Sequence, residues 1–389
     1  MESTAITNKV RAIMLEFAEQ TGLSNNKKPP RRYLWTDAFA LCNFLTLYRQ
    51  SGEERYLRLA LDLIDQVHAV LGRHRENDPR TGWISGLDEV TGARHPTAGG
   101  LRIGKPLNER KAGEPYDERL EWDRDGQYFH YLAKWMHALA RAGTATAEPR
   151  YIQWALELAK AAHAAFAYVP VTGGAKRMYW KMSIDLSRPL VASMGLHDPL
   201  DAFVTYNELR YCARKHPGET VSLDIEDQIA EAAAMCEGMD FATDDPLGIG
   251  GLLFDAYRVA QMTAGGGLEA RALLQTLMRS SKHGLDVFLD RDPLHDPVHH
   301  RLAFRELGLS IGLRAIERIR DLIQNNRSLF NDSLVRQIES LAAYEALIEP
   351  IERFWCEPSH QQSRSWRAHS DINMVMLATS VSPEQFLLL

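Results

Sequence analysis

The sequence predicts an all-α chain of about twelve helices, arranged as an outer ring around an inner ring. Three observations carry this expectation. Some helical segments have one wet side: between Glu54 and Leu71 the apolar positions Tyr56, Ala60, Leu63, Ile64, Val67, Val70 and Leu71 share a face, and Ile152, Ala155, Ala159, Ala162, Phe166 and Val169 share another. Other segments are apolar nearly all round, namely Tyr33–Tyr48, Leu247–Ala260 and Ile372–Ala378, and such helices are buried on every side. Finally, Asp-Pro-Leu occurs at Asp198, Asp245 and Asp292, a constant step that matches the length of a helix hairpin.

Taken in order, the inner helices are expected to begin near Arg32, Asp123, Pro199, Pro246, Leu302 and Asp371. The outer helices are expected near 3–21, 54–71, 148–168, 222–239, 266–288 and 312–345, the last broken at Asn325-Asn326. The N-terminal helix lacks an inner partner and the last inner helix lacks an outer one. Side by side, these two close a ring of six hairpins. Aspartate accepts the orphan N–H groups of a first turn and proline suits the first helical position, so Asp198-Pro199 and Asp245-Pro246 read as helix starts. Asp292-Pro293 is followed by Asp296-Pro297, and either pair suits such a start. No strand pattern of convincing length argues for an α/β fold. The whole chain, 1–389, reads as one domain with a long loop insertion at about 73–121, rich in glycine. Segments 170–196 and 348–368 are further long loops at the mouth of the ring.

Composition narrows the function. The chain has 389 residues, 45% hydrophobic and 25% charged, with a formal net charge of −6. That balance gives no field for nucleic acid or an anionic membrane, and the basic pairs Lys27-Lys28 and Arg31-Arg32 are short. No uncharged apolar run is long enough to span a bilayer, and the polar N-terminus lacks the apolar core of a signal peptide. Cys42, Cys212, Cys236 and Cys356 are far apart, without metal-ligand spacing, which suits reduced thiols in a cytoplasmic protein. No cofactor or metal is expected. His295 to His300 resembles a ligand run, but Pro293 and Pro297 break the helical spacing it needs. Gly248-Ile249-Gly250-Gly251 follows no strand, so it reads as a close backbone approach rather than a phosphate loop.

Six hairpins closed into a toroid resemble the six-hairpin glycosidase-like superfamily, the (α/α)6 barrel. The resemblance is one of architecture over nearly the whole chain. It implies a substrate cleft at one end of the inner ring, lined by acids, histidines and stacking aromatics. Members include glycoside hydrolases, sugar 2-epimerases and polysaccharide lyases, and fold alone does not choose among them.

The residues at the expected inner-helix starts are unusually polar. Asp37 lies within an apolar helix and must reach the mouth or pair with Arg32. In Trp122-Asp123-Arg124-Asp125, two close carboxyls offer the acid and base of glycosidic cleavage, or a cap and a surface ion pair. His197, Asp201 and His369 complete the candidate catalytic set, since two histidines can act as acid and base in epimerisation. Arg32, Trp35, Trp83, Trp122, Gln127, His130, Trp180, His300, Arg305 and Trp366 are the candidate substrate-binding residues. Sugars stack on tryptophan, but tryptophan also fills cores. The sequence therefore points first to a glycoside hydrolase-like protein acting on a small-molecule or oligosaccharide substrate. A sugar 2-epimerase or isomerase using histidine, and a non-catalytic binding toroid, stand as alternatives.

Overall fold

The computed structural model describes residues 2–24, 28–215 and 224–389. Lys27 and residues 222–223 of one expected outer helix lie outside the described residues. The chain forms two compact units. One is residues 18–239; the other is Asp240–Leu389 together with the N-terminal residues through Phe17.

In the first unit, Leu34–Ser51 is buried along one continuous run from Leu34 to Leu47, as its all-round apolar sequence requires. Gly52 ends it in the left-handed region, φ 69°, donating its N–H to the Tyr48 carbonyl at 2.8 Å. The chain then turns back as Glu54–Leu71, which buries only Tyr56, Ala60, Leu63, Ile64, Val67, His68 and Leu71. Phe129–Thr146 and Pro149–Phe166 repeat this pairing, as do Asp198–Lys215 and Glu226–Cys236. The three buried helices pack side by side in chain order.

The second buried helix begins at Phe129, not near Asp123 as expected. Glu118–Asp123 is instead a separate short helix, capped by Asp117, whose carboxylate accepts the Leu120 N–H. The chain then extends through Gly126, φ 151°, where a side chain would strike the Met182 carbonyl. That close approach lets Gln127–Tyr128 pair antiparallel with Lys181–Met182 before helix resumes. Lys181–Met182 also pairs with Pro189–Val191, and Ala167–Tyr168 pairs with Arg177–Met178. These short strands tie the loops down without altering the all-α class.

The second unit follows the same plan. Pro246–Ala264 packs on Arg271–Asp290 and on Ala303–Asn325, which packs in turn on Ser370–Val381. Gly250 and Gly312 meet backbone to backbone: a Cβ on Gly250 would lie 2.1 Å from the Gly308 carbonyl oxygen. Gly250 of the 248–251 run thus serves close helix packing. Two expectations fail here. Neither Asp292-Pro293 nor Asp296-Pro297 starts the long helix; each opens a single 3-10 turn, Pro293–His295 or Val298–His300. The expected outer helix at 312–345 is also corrected. Ala303–Asn325 is one helix ending at the Asn325-Asn326 break, and Asp332–Leu341 and Ile348–Cys356 follow as shorter pieces. Among the described residues, no helix is long and apolar enough to cross a membrane.

Candidate functional site

The first unit brings a group of aromatic side chains together at the start of its buried helices. Tyr33 and Trp35 come from the entry to Leu34–Ser51, and Tyr128, His130 and Tyr131 from the entry to Phe129–Thr146. Trp35 lies 5.3 Å from Tyr131 and 6.1 Å from His130, centroid to centroid. Tyr128 stacks on His130 at 5.4 Å and leans on Trp180 at 5.1 Å. Trp180 meets Trp122 edge-on at 5.9 Å, and Trp122 is 54% exposed. Trp35 and Tyr128 are buried, Tyr33, His130, Tyr131 and Trp180 are half-buried, and Trp122 is exposed, so the cluster meets solvent along one edge.

Polar groups are set into that cluster. The hydroxyls of Tyr33 and Tyr131 share a hydrogen bond of 2.7 Å. Burial raises the pKa of both, so both keep their protons. One hydrogen serves their mutual bond, which leaves the other as a donor. His130 is half-buried, with Nδ1 3.5 Å from Asp198 Oδ1. Asp198 is 3% exposed, and its Oδ2 has no hydrogen-bond donor among the described residues. The expected capping role of Asp198 is therefore corrected: it is the first residue of its helix and faces His130. Half-buried His197 precedes it, and its carbonyl accepts the Asp201 N–H at 2.8 Å. Asp201 is buried and holds Lys134 Nζ at 2.8 Å.

The other first-unit candidates have well-defined structural partners. Asp37 accepts the Tyr33 N–H at 2.9 Å and lies 3.4 Å from buried Arg32, which donates to the Thr21 carbonyl. Trp83 is buried with the Arg73 guanidinium 4.2 Å above its ring. Gln127 is a buried clamp: it accepts from Leu101 N–H and donates to the carbonyls of Gly99 and Ile184. Asp123 and Asp125 have opposite surroundings. Asp123 is exposed at the end of its short helix. Asp125 is fully buried, pairing with Arg102 at 2.5 Å and Arg75 at 3.2 Å, while its Oδ1 accepts the N–H groups of Gly104, Lys105 and Gly126.

Candidates in the second unit form a group of their own. Buried Trp366 stacks on Trp355 at 5.9 Å, and Trp355 donates its indole N–H to Glu306 at 2.8 Å. Glu306 is bound in a fork by Arg301. Arg305 pairs with Asp245 at 2.9 Å. Exposed His369 meets Phe304 edge-on, and exposed His300 lies against His299. Among the described residues, no group of three or more His, Cys, Asp or Glu side chains is placed to hold a metal ion.

Sequence reasoning singled out Trp35, Trp122, His130 and Trp180, which the structure brings together. It missed Tyr33, Lys105, Tyr128 and Tyr131. The run Tyr128-Phe129-His130-Tyr131 is a legible signal, since four rings at a helix entry exceed what one buried face accommodates. Lys105 carries no such signal, because it reaches the site from a loop.

No family model matches the chain, and no curated protein matches it. It is similar to solved structures. One is the structure of cellobiose 2-epimerase from Spirochaeta thermophila DSM 6192, with TM-score 0.47 and 12% identity, covering 91% of this chain and 86% of that one. Another is cellobiose 2-epimerase from Bacillus thermoamylovorans B4167, with TM-score 0.38, 10% identity and 80% and 75% coverage. A third is a sugar epimerase from a ruminal bacterium, with TM-score 0.40, 10% identity and 80% and 75% coverage. Likeness at this level does not carry an activity across.

Proposed function

We propose that this chain is a carbohydrate-active enzyme of the six-hairpin toroid type that moves a proton on a sugar carbon next to a carbonyl, as a sugar epimerase or isomerase does. The observation that carries the reading is His130, half-buried among Trp35, Tyr128 and Tyr131 and backed by the Asp198 carboxylate. In this reading the open-chain sugar stacks on the aromatic surface. His130 takes the proton from the carbon beside the carbonyl, and the Asp198 carboxylate stabilises the imidazolium that forms. The electron pair moves onto the carbonyl oxygen, which accepts the free hydrogen of the Tyr33–Tyr131 pair. Return of a proton to that carbon from the opposite face gives the epimer; its delivery instead to the former carbonyl carbon, with loss of the neighbouring hydroxyl proton, gives the isomer. Neutral tyrosines suit this donor role because burial keeps them protonated.

The carboxylate-pair hydrolase has less support. Cleavage needs one carboxyl free to donate a proton and a second free to act across the bond. Asp125 is held by two arginines and three backbone N–H groups, which leaves Asp123 without that partner.

The test is incubation with a panel of free sugars and disaccharides in heavy water, read by mass spectrometry. Deuterium should enter a carbon-bound position of a recovered sugar, and His130→Ala should stop its entry. Cleavage of a disaccharide without carbon-bound deuterium overturns the reading in favour of hydrolysis.

A further inference from the structure

Two buried lysines flank Tyr128, and their surroundings differ. The Lys181 ammonium has three acceptors at 2.8 Å: the Glu121 carbonyl, Glu121 Oε1 and the Arg124 carbonyl. Among the described residues, the Lys105 ammonium donates only to the Trp122 carbonyl. It lies 4.9 Å from the Trp122 ring centre and 5.4 Å from that of Tyr128, and the residue is 7% exposed. An ammonium has three hydrogens, so two of them have no acceptor among the described residues.

The charges around it do not supply a counterion. Asp125 is taken by Arg75 and Arg102, Glu121 by Lys181 and Arg110, and Glu114 by Arg124. Asp123 lies near enough to favour the charged lysine, but the two form no ion pair. The cluster thus carries more cations than carboxylates, and Lys105 is a cation in it without a carboxylate in pairing distance. A buried ammonium is costly unless paired, and burial together with the Lys181 charge lowers the Lys105 pKa to about 8.

We infer that Lys105 is the anchor for an acidic group on the substrate, a carboxylate or a phosphate, so the sugar this site takes is an anionic one. The reading rests on the proposed function for the identity of the site. The Tyr128 ring joins the two parts: His130 stacks on it and Lys105 lies over it. An incoming anion fills the two free N–H positions and supplies the missing countercharge, while the sugar ring lies on the aromatic surface.

The experiment is isothermal titration of the full chain with glucuronate, glucose 6-phosphate and glucose at pH 7. At least one acidic sugar should bind tenfold or more tightly than glucose, and comparison of the two acids distinguishes carboxylate from phosphate. Lys105→Met should abolish the preference and Lys105→Arg should restore part of it. Equal binding of all three sugars, or binding of none, overturns the inference. So does a preference that survives in Lys105→Met; if that variant does not fold, a preference reduced but still present in Lys105→Arg supports the inference, and one unchanged in Lys105→Arg or in strong salt overturns it. Acidic preference without deuterium entry in any sugar would overturn the epimerase reading and leave this inference standing.

Discussion

Asp198-Pro199-Leu200 and Asp245-Pro246-Leu247 open two helices with the same three residues, yet the carboxylates face different surroundings. Asp245 is a cap: Oδ1 accepts the Leu247 N–H at 3.3 Å and pairs with Arg305 at 2.9 Å. Asp198 has already entered the helix, lies 3.5 Å from a histidine and leaves one buried oxygen without a donor. Local sequence supplies the helix start in both cases. Which neighbours fill the carboxylate is decided by residues far away in the chain, Arg305 for one and His130 for the other. A buried oxygen left unfilled destabilises a fold, and the proposed function gives that oxygen a use at the Asp198 start that the Asp245 start does not need.

The largest effect should separate the two in turnover. Asp198→Asn keeps the shape of the side chain but removes the charge that stabilises protonated His130. Deuterium entry into the sugar should fall by about 100-fold, a typical loss for weakened acid–base catalysis. Asp245→Asn should leave the rate within about twofold, since its side chain meets only a helix N–H and Arg305. Separating kcat from KM adds a second readout, because Asp198→Asn should lower kcat while Asp245→Asn leaves it unchanged. Equal rates in the two variants would reduce Asp198 to a structural residue.

A smaller effect should separate them in stability, with the order reversed. Asp245→Ala removes a capping bond and should cost about 1 kcal/mol in urea unfolding. Asp198→Ala removes no capping hydrogen bond and relieves an unsatisfied buried oxygen, so its cost should be smaller. If Asp198→Ala is the more damaging change, its carboxylate has structural partners in solution that outweigh this argument.

The same contrast explains how much the sequence disclosed. Helix type was legible because burial follows the apolar pattern: Leu34–Ser51 is apolar all round and Glu54–Leu71 is one-sided, and both were read correctly. The site was legible only where aromatic residues crowd a helix entry, as with Trp35 and His130. The Trp-Asp-Arg-Asp motif was misleading because nothing local says that Arg75 and Arg102, from a distant loop, enclose Asp125. The delayed start at Phe129 was hidden for a similar reason, since Gln127–Tyr128 finds its strand partner more than fifty residues later. Lys105 was invisible in the sequence because its surroundings are made by Trp122, Tyr128 and Lys181, all remote in the chain.

Lys105 and Lys181 extend the contrast from carboxylates to cations, and the smallest effect tests it. Burial depresses both pKa values, but Lys181 has its acceptors and Lys105 is left near 8. In the unfolded chain a lysine titrates near 10.4. At pH 7 the folded and unfolded forms both hold the Lys105 proton, so the cost of the buried charge is fully present. Between the folded and unfolded values the unfolded chain binds more protons, and stability from this group rises with pH. From pH 7 to 8.5 the folded protein should gain on the order of 0.5–1 kcal/mol through Lys105. Asp123, Asp125, Glu121 and Lys181 face the same ammonium, but they are common to the wild type and Lys105→Met and largely cancel in the difference. Urea unfolding of both proteins at the two pH values gives that difference directly. The Lys105→Met variant should be the more stable at pH 7, and its advantage should shrink at pH 8.5. A gap that stays constant between the two values would mean that Lys105 does not titrate in this range. The ammonium would then have an acceptor of its own, as Lys181 has, and the two lysines would not differ.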